Sequence, residues 1–133
     1  MQLPRYLELL HREQLDLAKA FRQVAETHAD EADVARQCER LARQCDAHAE
    51  RLEPFVGEGP EMEPDLLADL HDLYRRAAHC DMAWTLAGQA AQGTRDRELL
   101  EVVQGCEGET EIQLKWLRTR LKQAAPQALV VAR

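Results

Sequence analysis

The chain has 133 residues, 45% hydrophobic and 31% charged, with a formal charge of −7, which is the size of one domain around one continuous core. Its acidic balance, with Lys and Arg interleaved among Asp and Glu, argues against nucleic acid as a partner, because phosphate binding needs clustered cations. No window approaches the roughly 18 consecutive apolar residues of a membrane span, and the start Met1-Gln-Leu-Pro-Arg-Tyr6 is not a charged segment leading into an apolar one, so no membrane partner is expected and the expected location is cytoplasmic.

Helix is the expected state of most of the chain, and four segments carry its period. The first runs over about 4–29, opening after Pro4, with Leu3, Leu7, Leu10, Gln14, Leu17, Phe21, Val24 and His28 on one stripe. Gln14 is the misfit, since an amide inside a stripe must find a hydrogen-bond partner or stay unsatisfied at a cost of about 1–3 kcal/mol. The second segment, about 31–53, follows Asp30 as its expected N-cap and places Val34, Cys38, Leu41, Cys45, His48, Leu52 and Phe55 at alternating spacings of four and three, the pattern of a bundle helix. The link between these segments is short enough to make them antiparallel neighbours.

The stretch from Phe55 to Pro64 holds two of the six glycines and two of the five prolines, and is the expected crossover loop. A third helix over about 65–92 carries Leu67, Leu70, Tyr74, Ala77, Asp81, Trp84, Gly88 and Ala91. Gly93 is the expected C-cap and Thr94 the expected N-cap of the fourth helix, about 95–124, with Leu100, Val103, Glu107, Thr110, Leu114, Leu117 and Leu121 on its stripe. Two glycines inside it, Gly105 and Gly108, cost about 1 kcal/mol each against alanine and need a reason: close packing, a kink or room for a ligand. After Pro126 the tail 126–133 has apolar residues without an amphipathic period. The expected architecture is all-α, an up-down-up-down antiparallel four-helix bundle in a single domain.

Counting along each helix from the short turns brings Gln14, Cys45, His48, Asp81, Glu107 and Thr110 to one depth of such a bundle. Apolar stripes interrupted at the same level on four helices are hard to ascribe to independent accidents, and local rules broken together often mark function. The four cysteines, Cys38, Cys45, Cys80 and Cys106, include no C-x-x-C pair, which disfavours zinc ribbons and thioredoxin-type sites; free thiols are expected. Serine is absent from the chain, and neither a nucleophile constellation nor a Gly-rich phosphate loop is present, so no catalytic residue is assigned.

With this layer the chain resembles the ferritin-like four-helix bundles. Their dinuclear metal sites take a Glu from each of two helices and a Glu-x-x-His from each of the other two. The matching positions here are Gln14, Cys45-x-x-His48, Asp81 and Glu107-x-x-Thr110. The resemblance implies the fold and the place of a metal site. Only His48, Asp81 and Glu107 are strong oxygen or nitrogen ligands, however, Cys45 being soft and Gln14 and Thr110 weak. The stretches His28-Ala-Asp-Glu31, Leu41-Ala-Arg-Gln-Cys-Asp-Ala-His48 and Trp84-Thr-Leu-Ala-Gly-Gln-Ala-Ala91 also look like small actinobacterial-type bundle proteins without assigned activity.

Two main readings follow. In one, the chain is a non-catalytic interaction or assembly module without a cofactor, a homo-oligomer or the partner of another protein, and the polar layer is a satisfied hydrogen-bond network. In the other, His48, Asp81 and Glu107, with Cys45, hold a single transition-metal ion. Redox sensing or small-molecule binding through the thiols is a third, and it requires a thiol that reacts in the native state.

Overall fold

A computed structural model describes residues 1–59 and 65–131. The remainder of the expected crossover loop, 60–64, and tail residues 132–133 lie outside the described residues. Four α-helices, α1 (Leu3–Thr27), α2 (Ala32–Leu52), α3 (Leu66–Thr94) and α4 (Arg97–Pro126), account for most of the rest. Each begins and ends within two residues of its expected bounds. Among the described residues there is no strand, and no helix is long and apolar enough to cross a membrane. The described chain divides into two compact units, one containing α1 and α2 and the other α3 and α4.

In the first unit α1 and α2 form an antiparallel hairpin, and its cross-links run in opposite order along the two helices. Gln14 meets His48 at 3.0 Å, while Arg22 donates to Asp46 at 2.6 Å. The turn between the helices differs from the expected one. The N-cap is Glu31 rather than Asp30, and its side chain accepts no capping hydrogen bond. The turn closes instead through the backbone, with His28 N–H donating to Val24 O and Glu31 N–H to His28 O.

What packs between α1 and α2 is mostly alanine. Ala18 and Ala25 are buried on α1, and Ala42, Cys45 and Ala49 on α2. Phe21 packs against the cluster of Ala18, Ala42 and Cys45. Ala35, Ala42 and Ala49 repeat every seven residues along α2, as Ala18 and Ala25 do along α1. Small side chains at this spacing let two backbones approach closely along a straight seam. The seam therefore lies to one side of the stripes marked by large apolar residues. Leu10, Leu17 and Val24 on α1 sit one position before the seam, and so do Val34, Leu41 and His48 on α2, about a quarter turn around each helix. Because the helices are antiparallel and the offset has the same sense on both, the two lines share one side of the hairpin. Leu10, Leu17, Val24 and Val34 are exposed there, as is Phe55 in the short 3-10 turn Glu53–Phe55 that ends α2.

After that turn the chain runs back over the start of α1. Gly57 N–H donates to Pro4 O at 3.2 Å. A Cβ on Gly57 would stand 2.9 Å from the Pro4 side chain, too close for any other residue without a shift.

In the second unit α3 and α4 are again antiparallel. Asp65 caps α3, its carboxylate accepting from Ala68 N–H at 2.9 Å. The turn at the other end is displaced from the expected Gly93–Thr94. Thr94 still belongs to α3, and Arg95 takes the left-handed position that ends it, at φ 57°. Asp96 N–H bonds Ala91 O and Arg95 N–H bonds Gln92 O, the paired closure of a Schellman turn. Asp96 is then the N-cap of α4, accepting from Leu99 N–H at 3.0 Å. Replacing Asp96 with alanine should lower stability by about 1 kcal/mol in chemical unfolding, whereas Thr94→Asn should leave α4 unchanged.

The buried side chains of this unit are Leu67, Leu70 and Ala91 on α3 and Val103, Thr110 and Leu117 on α4. The last three are seven residues apart, so α4 presents one narrow line to α3. Pro126, which has no N–H to donate, is the last residue of α4. The chain continues as a π-helical turn, Gln127–Val131, in which Leu129 is buried and Val130 and Val131 are exposed.

Candidate functional site

The six residues of the expected polar layer divide between the two hairpins: Gln14, Cys45 and His48 in the first, Asp81, Glu107 and Thr110 in the second.

In the first hairpin the misfit amide has its partner. His48 Nδ1 lies 3.0 Å from Gln14 Oε1. An amide oxygen only accepts, so Nδ1 is the donor in this pairing. The pair is on the open side of the hairpin, and His48 is exposed. Gln14, His48 and Arg51 line a shallow groove of about 450 Å³ with Leu10, Leu52 and Phe55. Cys45, one turn before His48, points elsewhere, into the alanine seam, where it is buried. Although adjacent on the sequence stripe, Cys45 and His48 thus face core and solvent respectively. The enclosure of the Cys45 thiol among apolar side chains is that of a structural cysteine.

In the second hairpin, two side chains outside the expected layer complete it. Thr85 Oγ1 donates to Glu107 Oε2 at 2.7 Å and also stands 3.1 Å from the Asp81 carbonyl oxygen. Trp84 Nε1–H donates to Thr110 Oγ1 at 3.1 Å, and the Thr110 hydroxyl donates in turn to Cys106 O at 2.9 Å. Both roles of the buried Thr110 hydroxyl are used, which removes the cost of enclosing it. The Asp81 side chain is half-buried. Trp84 was expected on the stripe as an apolar residue. Its indole N–H is what places it opposite Thr110, and an indole and a hydroxyl at one depth of a hairpin are the signal that foretells such a bond.

All four cysteines are free; Cys80 is exposed, Cys38 and Cys106 are half-buried. Within each hairpin, among the described residues, no three His, Cys, Asp or Glu side chains gather as a metal-binding group. No family model, curated protein or solved structure matches the chain.

The donors do not fit a carboxylate-bridged dinuclear centre. Such a centre takes four carboxylates and two imidazoles. At the corresponding positions this chain supplies two carboxylates and one imidazole. Glu107 already accepts a hydroxyl proton and Thr110 is engaged on both sides, so the arrangement in each hairpin is that of groups satisfying one another.

Proposed function

We propose that the chain is a non-catalytic helical assembly module of the cytoplasm, its four helices packed as an up-down-up-down, ferritin-like bundle that acts through its surface on a like chain or another protein. One observation carries this reading: the apolar side chains outnumber what each hairpin encloses. Between α1 and α2 only alanines and Cys45 are buried, while Leu10, Leu17, Val24, Val34 and Phe55 stay exposed on one side. Contiguous exposed apolar residues on a regular helical face mark a surface that is covered in use, by the other hairpin where the four helices pack as a bundle or by a like chain or partner protein. The polar layer supports the same reading, since its hydrogen bonds are made inside each hairpin and leave no nucleophile paired with a base.

Sedimentation equilibrium of the full chain over a wide concentration range, with elemental analysis of the same preparation, tests this. The expected result is a folded, metal-free protein whose mean mass rises with concentration. His48→Leu should keep or raise the thermal midpoint, because it replaces an exposed hydrogen-bonded pair on an apolar side with a matching apolar group. A stoichiometric ion lost in His48→Leu would overturn the proposal in favour of a metal site.

A further inference from the structure

A second apolar face lies on α4, turned away from its buried line. Val102, Ile112 and Trp116 are 58%, 68% and 59% exposed. They cover about 21 Å of helix at 1.5 Å per residue, with Ile112 and Trp116 on the side away from the contact with α3 and Val102 on its flank, a quarter turn from the buried Val103. Gly105 and Gly108 lie between them, and a Cβ added to either would meet nothing within 4 Å. The two glycines thus serve no packing purpose within the α3–α4 hairpin. They leave a notch on a face that also displays an exposed tryptophan.

The charges of α4 are divided between its halves. Past Arg97 at its first position, the charged side chains as far as Glu111 are Glu98, Glu101, Glu107, Glu109 and Glu111, and from Ile112 to Pro126 they are Lys115, Arg118, Arg120 and Lys122. This polarity favours the helix itself, acids lying toward its positive end and bases toward its negative end. A dipole effect confined to the terminal turns does not account for acids as far in as Glu109, nor for the bare glycines and the exposed Trp116. A second α4 lying antiparallel accounts for all three. About a two-fold axis near Ile112, the acidic half of each helix faces the basic half of the other. Trp116 of each copy reaches the level of the other's Gly105 and Gly108. Such a contact is self-complementary, as a closed two-fold interface must be.

We infer that the partner is a second copy of this chain and that the α4 face formed by Val102, Gly105, Gly108, Ile112 and Trp116 is the interface of an antiparallel dimer. This deepens the assembly reading and rests on it. The halves set orientation and specificity through charge, and the tryptophan seated on glycine is the kind of enclosed aromatic anchor that dominates interface affinity.

The test uses the full chain and four variants, with mass by sedimentation and fold by circular dichroism. Ile112→Asp, at an exposed position, should leave the helical spectrum unchanged and the protein monomeric. Glu101→Lys/Glu109→Lys and Lys115→Glu/Lys122→Glu should each weaken the homodimer by roughly tenfold or more, since each sets like charges in opposition. Mixed in equal amounts, these two double variants should form a heterodimer close to wild type in affinity. Gly108→Leu should raise helix content while weakening the dimer. Wild-type protein that stays monomeric at every concentration overturns both this interface and the like-chain form of the assembly reading. An oligomer indifferent to Ile112→Asp overturns this interface alone. Loss of the dimer in the double variants without rescue on mixing overturns the antiparallel pairing.

Discussion

Replacing Ala42 with aspartate is expected to destabilise the chain by about 3–5 kcal/mol, the cost of leaving a charge enclosed without a partner. Ala42 is the most completely enclosed residue of the first hairpin, at 0% exposure, and its neighbours in the cluster are Ala18, Cys45 and Phe21. None of these offers a charge or a strong donor. The loss would be read as a fall in the urea midpoint of helical circular dichroism at unchanged slope. Ala42→Leu sharpens the prediction, because it tests packing rather than polarity. On hydrophobicity alone leucine would improve a buried position. In a seam made of Ala18, Ala25, Ala42 and Ala49 it must push the helices apart or leave its preferred rotamers, at a cost of about 1–3 kcal/mol. Ala47→Glu, on an exposed position of the same helix, should shift stability by no more than about 0.5 kcal/mol. Tolerance of both Ala42 substitutions would show that α1 and α2 are not held together by this line.

The alanine seam also explains what could and could not be read before the structure. The existence of the four helices followed from apolar periodicity, a signal summed over many turns, and their approximate ends from prolines and cap residues. Depth was legible as well: counting from the short turn set Gln14 level with His48, and the two are hydrogen-bonded. Azimuth was not. A stripe weighted toward Leu, Val and Phe is drawn to the side where those residues lie, whereas close helix approach is decided by the smallest side chains, and alanine adds little to any hydrophobicity count. Cys45 and His48 were therefore placed on one face, although one points into the seam and the other to solvent.

The turn between α3 and α4 was missed for a different reason. Gly93 is a stronger C-cap signal by residue type than Arg95, since a left-handed arginine is uncommon, and it drew the expected turn two residues early although Asp96 outranks Thr94 as an N-cap. The Asp96 cap, which bonds Leu99 N–H, decides where α4 starts. In the candidate layer, the Trp84–Thr110 and Thr85–Glu107 bonds depended on donors on residues counted as apolar or passed over. The level of each was available from the turn, but not the direction in which it points.

Leu117 and Trp116 are sequence neighbours, and their truncation should have opposite consequences. Leu117 is buried on the line that α4 turns toward α3, seven residues beyond Thr110 and fourteen beyond Val103. Leu117→Ala removes apolar atoms from a site whose surroundings can close only in part, and should cost about 2–5 kcal/mol in unfolding at any protein concentration. Trp116 is 59% exposed, and in dilute monomer Trp116→Ala should change stability by no more than about 0.5 kcal/mol. At concentrations where the wild type associates, the order changes. Leu117→Ala loses monomer stability but retains the face that pairs, so its association should weaken only through its unfolded fraction. Trp116→Ala keeps the fold and loses the side chain that fills the glycine notch, so it should lose the concentration-dependent part of the wild-type thermal midpoint, since association stabilises the folded chain by mass action. Thermal midpoints of both variants over a range of concentrations separate the two effects. A Trp116→Ala protein whose midpoint still rises with concentration as steeply as wild type would place the associating surface elsewhere on the molecule.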